Sequence, residues 1–303
     1  MVGKKNSWEG FLLAIGAALL WGVSGTFAQF LFEHRSISAE WLVTVRLLVS
    51  GCMLLLLALF RRESDLWNIW KSRKDACQLI IFSIFGMLAV QYTYFAAIQH
   101  SNAATATVLQ YAGPVLIAIY MAANKQKWPH AIEYLAVAFA ITGTFLLVTH
   151  GSISNLSISG WALFWGIASA FALAFYSLQP IRLLNRYTAT VVIGWSMFIG
   201  GITFSFVHPP WQVAGQWDYY TYLSIAFIIL FGSLVAFYSY LTAVKYIGAE
   251  TTSLLASAEP LSAAIISILW LDVSFDTMDW IGSLLIVSTI FLLTWKTHAI
   301  SSI

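Results

Sequence analysis

The chain has 303 residues, 60% of them hydrophobic and only 9% charged, with a formal net charge of +2. So few charges cannot cover that much apolar surface in water, which excludes a soluble domain and makes lipid the solvent. The small net charge also excludes a basic face for nucleic acid. Cys52 inside one apolar run and Cys77 at the start of another are read as reduced thiols with a packing role, not a disulfide framework or metal site.

A spanning helix needs about 20 mainly apolar residues. Runs of that kind cover Gly10 to Phe32, Ala39 to Phe60, Ala76 to Ile98, Ala103 to Ala123, Ala131 to Thr149, Gly160 to Leu183, Ala189 to Val207, Tyr219 to Val244, Ala249 to Leu271 and Thr277 to Trp295. The first follows Lys4 and Lys5 as a signal peptide would, but it lacks a small-x-small cleavage site and leads into further runs, so it is read as retained. Runs three and four are split at Gln99 to Asn102, because one unbroken helix would be too long for a bilayer. Lys and Arg collect in cytoplasmic loops. With ten spans, 13 of the 15 fall on one side, leaving Arg35 opposite and Arg46 inside the second run. That partition places both termini in the cytoplasm.

A shift of 146 positions lays Tyr94–Ile119 over Tyr240–Ile265 with nine coincidences, among them Ala103/Ala249, Thr105/Thr251, Leu109/Leu255 and Pro114/Pro260. A shift of 150 lays Gly10, Leu13, Gly16, Ala18 and Gln29 on Gly160, Leu163, Gly166, Ala168 and Gln179. The expected architecture is an all-α membrane protein of ten transmembrane helices in two five-helix repeats, 1–149 and 160–303, joined by an uncharged Ser-rich linker at 150–159. Because five is odd, the second repeat enters the membrane from the opposite side, and inverted-topology repeats are characteristic of secondary transporters.

Several residues carry a family resemblance. The first run holds small residues ending in Trp-Gly (Ala17, Ala18, Leu19, Leu20, Trp21, Gly22); the second holds Arg46, the fourth and ninth Pro114 and Pro260, and the fifth and tenth Gly143 and Gly282. In this order and spacing the chain resembles, over nearly its whole length, the EamA-type members of the bacterial drug/metabolite transporter superfamily. The resemblance implies an inner-membrane permease for small metabolites, often an exporter of amino acids or related compounds. It also implies packing mainly through helices one, three, four, six, eight and nine, with five and ten at the periphery, where members can form homodimers. Many members place Glu just after helices four and nine, where this chain has Asn124 and Asp272.

An ionisable residue in mid-membrane costs at least a few kcal/mol, so Glu259, beside Pro260, is the first candidate. One reading is a cavity-facing carboxylate that binds a cationic group or carries the coupling proton; the other is a neutral Glu bonded to a neighbouring helix. Pro260 removes one backbone bond and exposes a carbonyl at the same place. Under the 146 shift, Gln110, Tyr111 and Gly113 stand opposite Ala256, Ser257 and Glu259. Thr107, Gln110, Tyr111 and Pro114 share one helix face, as a site wall or as polar glue between helices. Trp21, Ser24, Tyr92, Trp165 and Tyr176 are candidate lining, with Trp21 and Tyr176 the deepest, whereas Trp8, Trp67 and Trp211 read as an interfacial belt. Arg46 is read as snorkelling outward or pairing with a carboxylate in its leaflet.

Gly22-Val23-Ser24-Gly25 is similar to the nucleophile motif of rhomboid intramembrane proteases, but all six histidines fall at run ends or in loops, so no base is placed for it. With no P-loop or metal-binding motif, neither ATP hydrolysis nor a cofactor is indicated, and transport has to run on gradients. The expected partners are a small-molecule substrate, the bilayer and the proton as candidate coupling ion. Uptake of a small amine or nutrient is the alternative, and an intramembrane serine protease or a membrane scaffold the remote ones.

Overall fold

The structure, a computed structural model, describes residues 4–125, 131–152, 154, 159–271 and 276–300; Asp272, the side chain of Asn124 and residues 153 and 155–158 of the linker lie outside them. Every described element is helical. The first stretch runs α1 (Lys4–Arg35), α2 (Ala39–Phe60), the short α3 (Asp65–Lys71), then α4 (Arg73–Ile81), a π segment (Phe82–Leu88) and α5 (Ala89–Gln99) as one rod. It continues with α6 (Ala103–Gln110), α7 (Ala112–Lys125) and α8 (Ala131–Thr149). The second stretch runs α9 (Gly160–Leu178), α10 (Ile181–Arg186), α11 (Ala189–Ser205), then α12 (Tyr219–Ile229), a second π segment (Leu230–Val235) and α13 (Ala236–Ile247). It closes with α14 (Ala249–Leu255), α15 (Ala258–Leu271) and α16 (Thr277–Ile300).

Among the described residues, five helices are long and apolar enough to cross a membrane: Ser7–Arg35, Ala39–Phe60, Arg73–Gln99, Gly160–Arg186 and Tyr219–Ile247. Shorter apolar stretches cover Thr105–Met121, Tyr134–Leu146, Ala189–Ser205 and Trp280–Thr289. Large apolar side chains such as Phe85, Phe171 and Phe206 face outward, a surface that only lipid accommodates over such an extent. The chain is therefore an all-helical membrane protein.

Polar residues in the breaks set the helix starts. Ser38, Asn102, Ser159 and Asp218 accept from the backbone N–H three residues on, at 3.2, 2.7, 3.1 and 2.8 Å, and so cap α2, α6, α9 and α12. The third rod starts at Arg73, ahead of the expected Ala76, because Ser72 caps it in the same way. The sixth ends at Leu178, short of Leu183, because Pro180 has no N–H to continue the ladder. The helix α3 has no counterpart among the apolar runs: Leu66 and Ile69 are buried while Trp67 is exposed, as on an amphipathic surface helix. Both cysteines are free but exposed, so the packing role expected of them is not found.

The tightest crossing joins α2 to α11. A Cβ on Gly51 would meet Phe198 N at 2.5 Å, and one on Gly201 would meet Leu48 N at 2.9 Å. The 150 shift carries Gly51 to Gly201 and Leu48 to Phe198, so the contact is reciprocal between equivalent residues. The other shift, 146, carries Gly86 of the first π segment to Gly232 of the second, and Tyr111, between α6 and α7, to Ser257, between α14 and α15. Elsewhere α8 packs along α16, with Gly143 against Gly282.

Arg35 and Asp218 join the α1–α2 corner to the start of α12. Asp218 Oδ2 accepts from Arg35 Nη2 at 2.8 Å, and Oδ1 accepts from Thr221 N at 2.8 Å. The Thr221 amide first, then the Arg35 guanidinium, hold the Asp218 carboxyl down at about 2. A depressed carboxylate contributes stability above its unfolded pKa and loses it as pH falls through the folded one. The link is therefore expected to persist unchanged from neutrality down to roughly pH 4. The difference in Tm between wild type and Asp218→Asn should stay constant across that window; a gap that closes well above pH 4 would contradict the assignment.

Candidate functional site

Two helix breaks meet at the centre. Proline has no N–H to give residue i−4, so Pro114 and Pro260 withdraw helical donors from Gln110 and Ala256, and α6 ends at Gln110 while α15 begins at Ala258. The carbonyl freed at Ala256 accepts the Tyr111 hydroxyl as well as the Glu259 amide, the latter at 2.9 Å. Tyr111 thus ties the first break to the second, at the carbonyl that the proline exposes.

Around this junction lies a cavity whose empty space, including the part open to solvent, is about 440 Å³. Its walls are Trp21, Ser24 and Gly25 from α1, Arg46 from α2, Val90, Gln91, Tyr94 and Phe95 from α5, Gln110 from α6, Leu173 and Tyr176 from α9, Phe237 from α13 and Glu259 from α15. A smaller neighbour of about 260 Å³ shares Trp21, Gln110, Leu173 and Glu259 and adds Tyr111 and Pro114. Of the five residues singled out from sequence, Glu259, Gln110, Trp21 and Tyr176 therefore border the larger space and Tyr111 the smaller. Trp21 packs on Phe237 and Tyr240, each with ring centroids 5.0 Å away. Tyr176 is fully buried, stacked on Phe82 at 5.8 Å and Tyr240 at 5.6 Å. Tyr92 and Trp165 pack on each other and stand outside this wall.

The two charged residues of the cavity sit in different surroundings. Tyr94 Oη lies 3.0 Å from Glu259 Oε1 and 2.9 Å from Thr107 Oγ1, and Thr107 Oγ1 lies 2.7 Å from Ala103 O. Arg46 neither snorkels nor pairs with a carboxylate among the described residues, contrary to the sequence reading; it is 3% exposed. Its Nε donates to Ser233 Oγ at 2.7 Å and its Nη2 to Gly232 O at 3.0 Å. Its guanidinium also stands over the rings of Phe95 at 4.6 Å and Phe237 at 5.7 Å. The partners account for this: Gly232 and Ser233 lie in the second π segment, which brings the Gly232 carbonyl and the Ser233 hydroxyl to Arg46. Tyr94, Gln91 and Phe237 are further wall residues that sequence reasoning did not single out.

Among the described residues, Trp21 Nε1, Gln91 Oε1 and the Tyr176 hydroxyl are buried without a hydrogen-bond partner. Buried polar atoms are ordinarily paired, so these three are groups that a polar ligand or water in the cavity can pair. Ser24 packs against Gly232, which agrees with the tight-packing reading of its tetrapeptide. The described residues hold no cluster of metal-ligating side chains. The arrangement can bind, orient and exchange a proton with a small molecule.

Comparison with known proteins gives the family and the fold. A model of the EamA-like transporter family matches residues 8–149 and again 160–295. The uncharacterized inner membrane transporter YicL of Salmonella typhimurium is 41% identical over 290 residues, covering 94% of this chain and 95% of that protein. The uncharacterized transporter YwfM of Bacillus subtilis is 26% identical over 92% of this chain and 90% of its own. One solved crystal structure superposes with a TM-score of 0.77 at 18% identity, covering 96% of this chain and 98% of that one, which shows a shared fold. The protein is a transporter rather than an enzyme, carried as a multi-pass chain in the inner (cytoplasmic) membrane. On the double match across almost the whole chain, it belongs to the EamA-like transporter family.

Proposed function

We propose that the protein is a secondary transporter that moves a small metabolite across the cytoplasmic membrane by alternating access, exporting amino acids or related compounds. In this reading ten helices form two inverted five-helix units, residues 1–149 and 160–303, joined by the linker at 150–159, and α8 and α16 offer the surface for a homodimer. Support comes from the reciprocal Gly51–Phe198 and Gly201–Leu48 crossing and from Lys and Arg gathered on one side. The observation that carries the function is Glu259, buried beside the junction of two broken helices and bordering both cavities. Glu259 binds the substrate or carries the coupling proton, with Gln110, Tyr111, Trp21 and Tyr176 completing the site.

The second reading, uptake of a small amine, is favoured by a carboxylate set among the aromatic faces of Trp21, Tyr94 and Tyr176. Arg46 on the same cavity weighs against it, since a lone cation would be repelled. A thermal-shift screen of the purified protein against amino acids, amines, nucleosides and small drugs tests the site, because a ligand that binds only the folded state must raise Tm. A hit on wild type whose affinity or pH dependence changes in Glu259→Gln is expected. A well-folded protein with no hit, or one whose hits all keep both their affinity and their pH dependence in Glu259→Gln, would remove Glu259 from the site.

A further inference from the structure

The hydroxyl chain at Glu259 can be balanced proton by proton. Three contacts lie in line: Glu259 to Tyr94 at 3.0 Å, Tyr94 to Thr107 at 2.9 Å, and Thr107 to Ala103 O at 2.7 Å. Ala103 O can only accept, so Thr107 spends its one proton there, and its oxygen must accept from Tyr94. Tyr94 then has no proton left for Glu259. All three contacts are filled together only when Glu259 itself carries a proton and donates it to the Tyr94 oxygen. Ionised Glu259 would take the Tyr94 proton and leave one of the other two contacts unfilled.

With that proton in place, Arg46 is the one charged group on the cavity wall. Its recorded bonds occupy Nε and one proton of Nη2, and no acceptor for Nη1 is recorded among the described residues. Gly232 O, Ser233 and two ring faces soften its charge without neutralising it, and a buried cation without a counter-ion is costly. A ligand carboxylate supplies the counter-ion in the geometry that a guanidinium fork favours. Resting on the reading of this cavity as the transport site, but replacing its amino-acid cargo by a carboxylate without an ammonium group, we propose that Arg46 receives the carboxylate of a small organic anion, and that occupancy of Arg46 and protonation of Glu259 favour each other. The ligand and a proton would then occupy the cavity in the same state.

The sign follows from the groups that face Glu259: Tyr94 on α5, Tyr111 at the α6–α7 break, Tyr240 on α13 and Arg46 across the cavity. The tyrosines are phenols that carry no charge near neutrality, so the ligand is the group that changes the balance. An anion beside Glu259 disfavours its ionised form, so binding of an anion strengthens as pH falls; an ammonium beside it does the reverse.

Indole-3-acetate, tryptophan and tryptamine share one ring and differ in charge, and their effect on Tm of the full-length protein in detergent separates the cases. Indole-3-acetate is expected to stabilise wild type, roughly 5- to 100-fold more tightly at about pH 6 than at about pH 8. Arg46→Gln should abolish its binding and Arg46→Lys, which keeps the charge without the fork, should weaken it. A purely structural Arg46 would lower the ligand-free Tm in both variants while leaving the order of the three probes unchanged, and that result overturns the proposal. So does tighter binding at the higher pH. If tryptamine or tryptophan binds best and Glu259→Gln abolishes it, the transport site stands and the anion class falls. If none of the three binds, the proposal falls, and the transport site is decided by the wider screen.

Discussion

Replacing Gly51 with alanine is expected to cost about 3 kcal/mol, the upper end of what overpacking costs, and to lower Tm by several degrees. The added methyl would sit 2.5 Å from Phe198 N, 2.9 Å from Phe198 Cα and 3.1 Å from Met197 C. All three atoms are backbone, so no rotamer change relieves the clash, and α2 and α11 have to part. Gly16→Ala is the control for the same chemical change, because a Cβ there has nothing within 4 Å, and it should leave Tm where it is or raise it. Thermal unfolding of the two purified variants decides the matter; equal midpoints would mean that the crossing yields more easily than its geometry implies.

The second large effect is expected at Asp75, on a functional rather than a stability scale. Asp75 is 1% exposed and binds Arg186 through both oxygens, at 2.7 and 3.0 Å, and the Tyr187 hydroxyl at 2.9 Å. It thereby joins the start of α4 to the end of α10, on the side where the basic residues gather. Arg186 is half-exposed and turns to water when its partner is removed, so Asp75→Ala should fold. What it loses is a tie between the two stretches of chain. A loss of about 1–3 kcal/mol changes the balance of two conformations by roughly 5- to 150-fold. In a background with Cys52 and Cys77 replaced by serine, a cysteine at Leu173 on the cavity wall should then react faster with an impermeant thiol reagent supplied from the cytoplasmic face. Arg35→Ala, at the opposite end, should speed the reaction from the other face. Unchanged labelling in both variants would deprive the two ties of any role in gating.

Much of the fold is legible in the sequence, for reasons that can be assigned to residues. The run Ala39–Phe60 is unbroken in apolar character and preceded by a serine able to cap it, so its limits coincide with α2. The helix breaks announce themselves through Pro114 and Pro260, and Glu259 is conspicuous as a carboxylate deep inside an apolar run. The π segments are not legible, because Phe82–Leu88 and Leu230–Val235 have the composition of ordinary helix and hydropathy carries no record of hydrogen-bond offset. The misplacement of Arg46 follows directly, since Ser233 and the Gly232 carbonyl lie far along the chain from it. Tyr94 was hidden for another reason: its repeat equivalent, Tyr240, is also tyrosine, so a search for chemical asymmetry between the repeats passes over it.

The α2–α11 crossing sets a timetable for synthesis. Gly51 has to wait for Phe198, about 150 residues later in the chain, and at roughly 5–20 residues per second that is about 7–30 s on the ribosome. Until then the glycine notch on α2 faces lipid or whatever insertion factor is at hand, and a stalled or truncated chain leaves it uncovered. Membrane quality control therefore has a structural signal that distinguishes the half-made protein from the finished one.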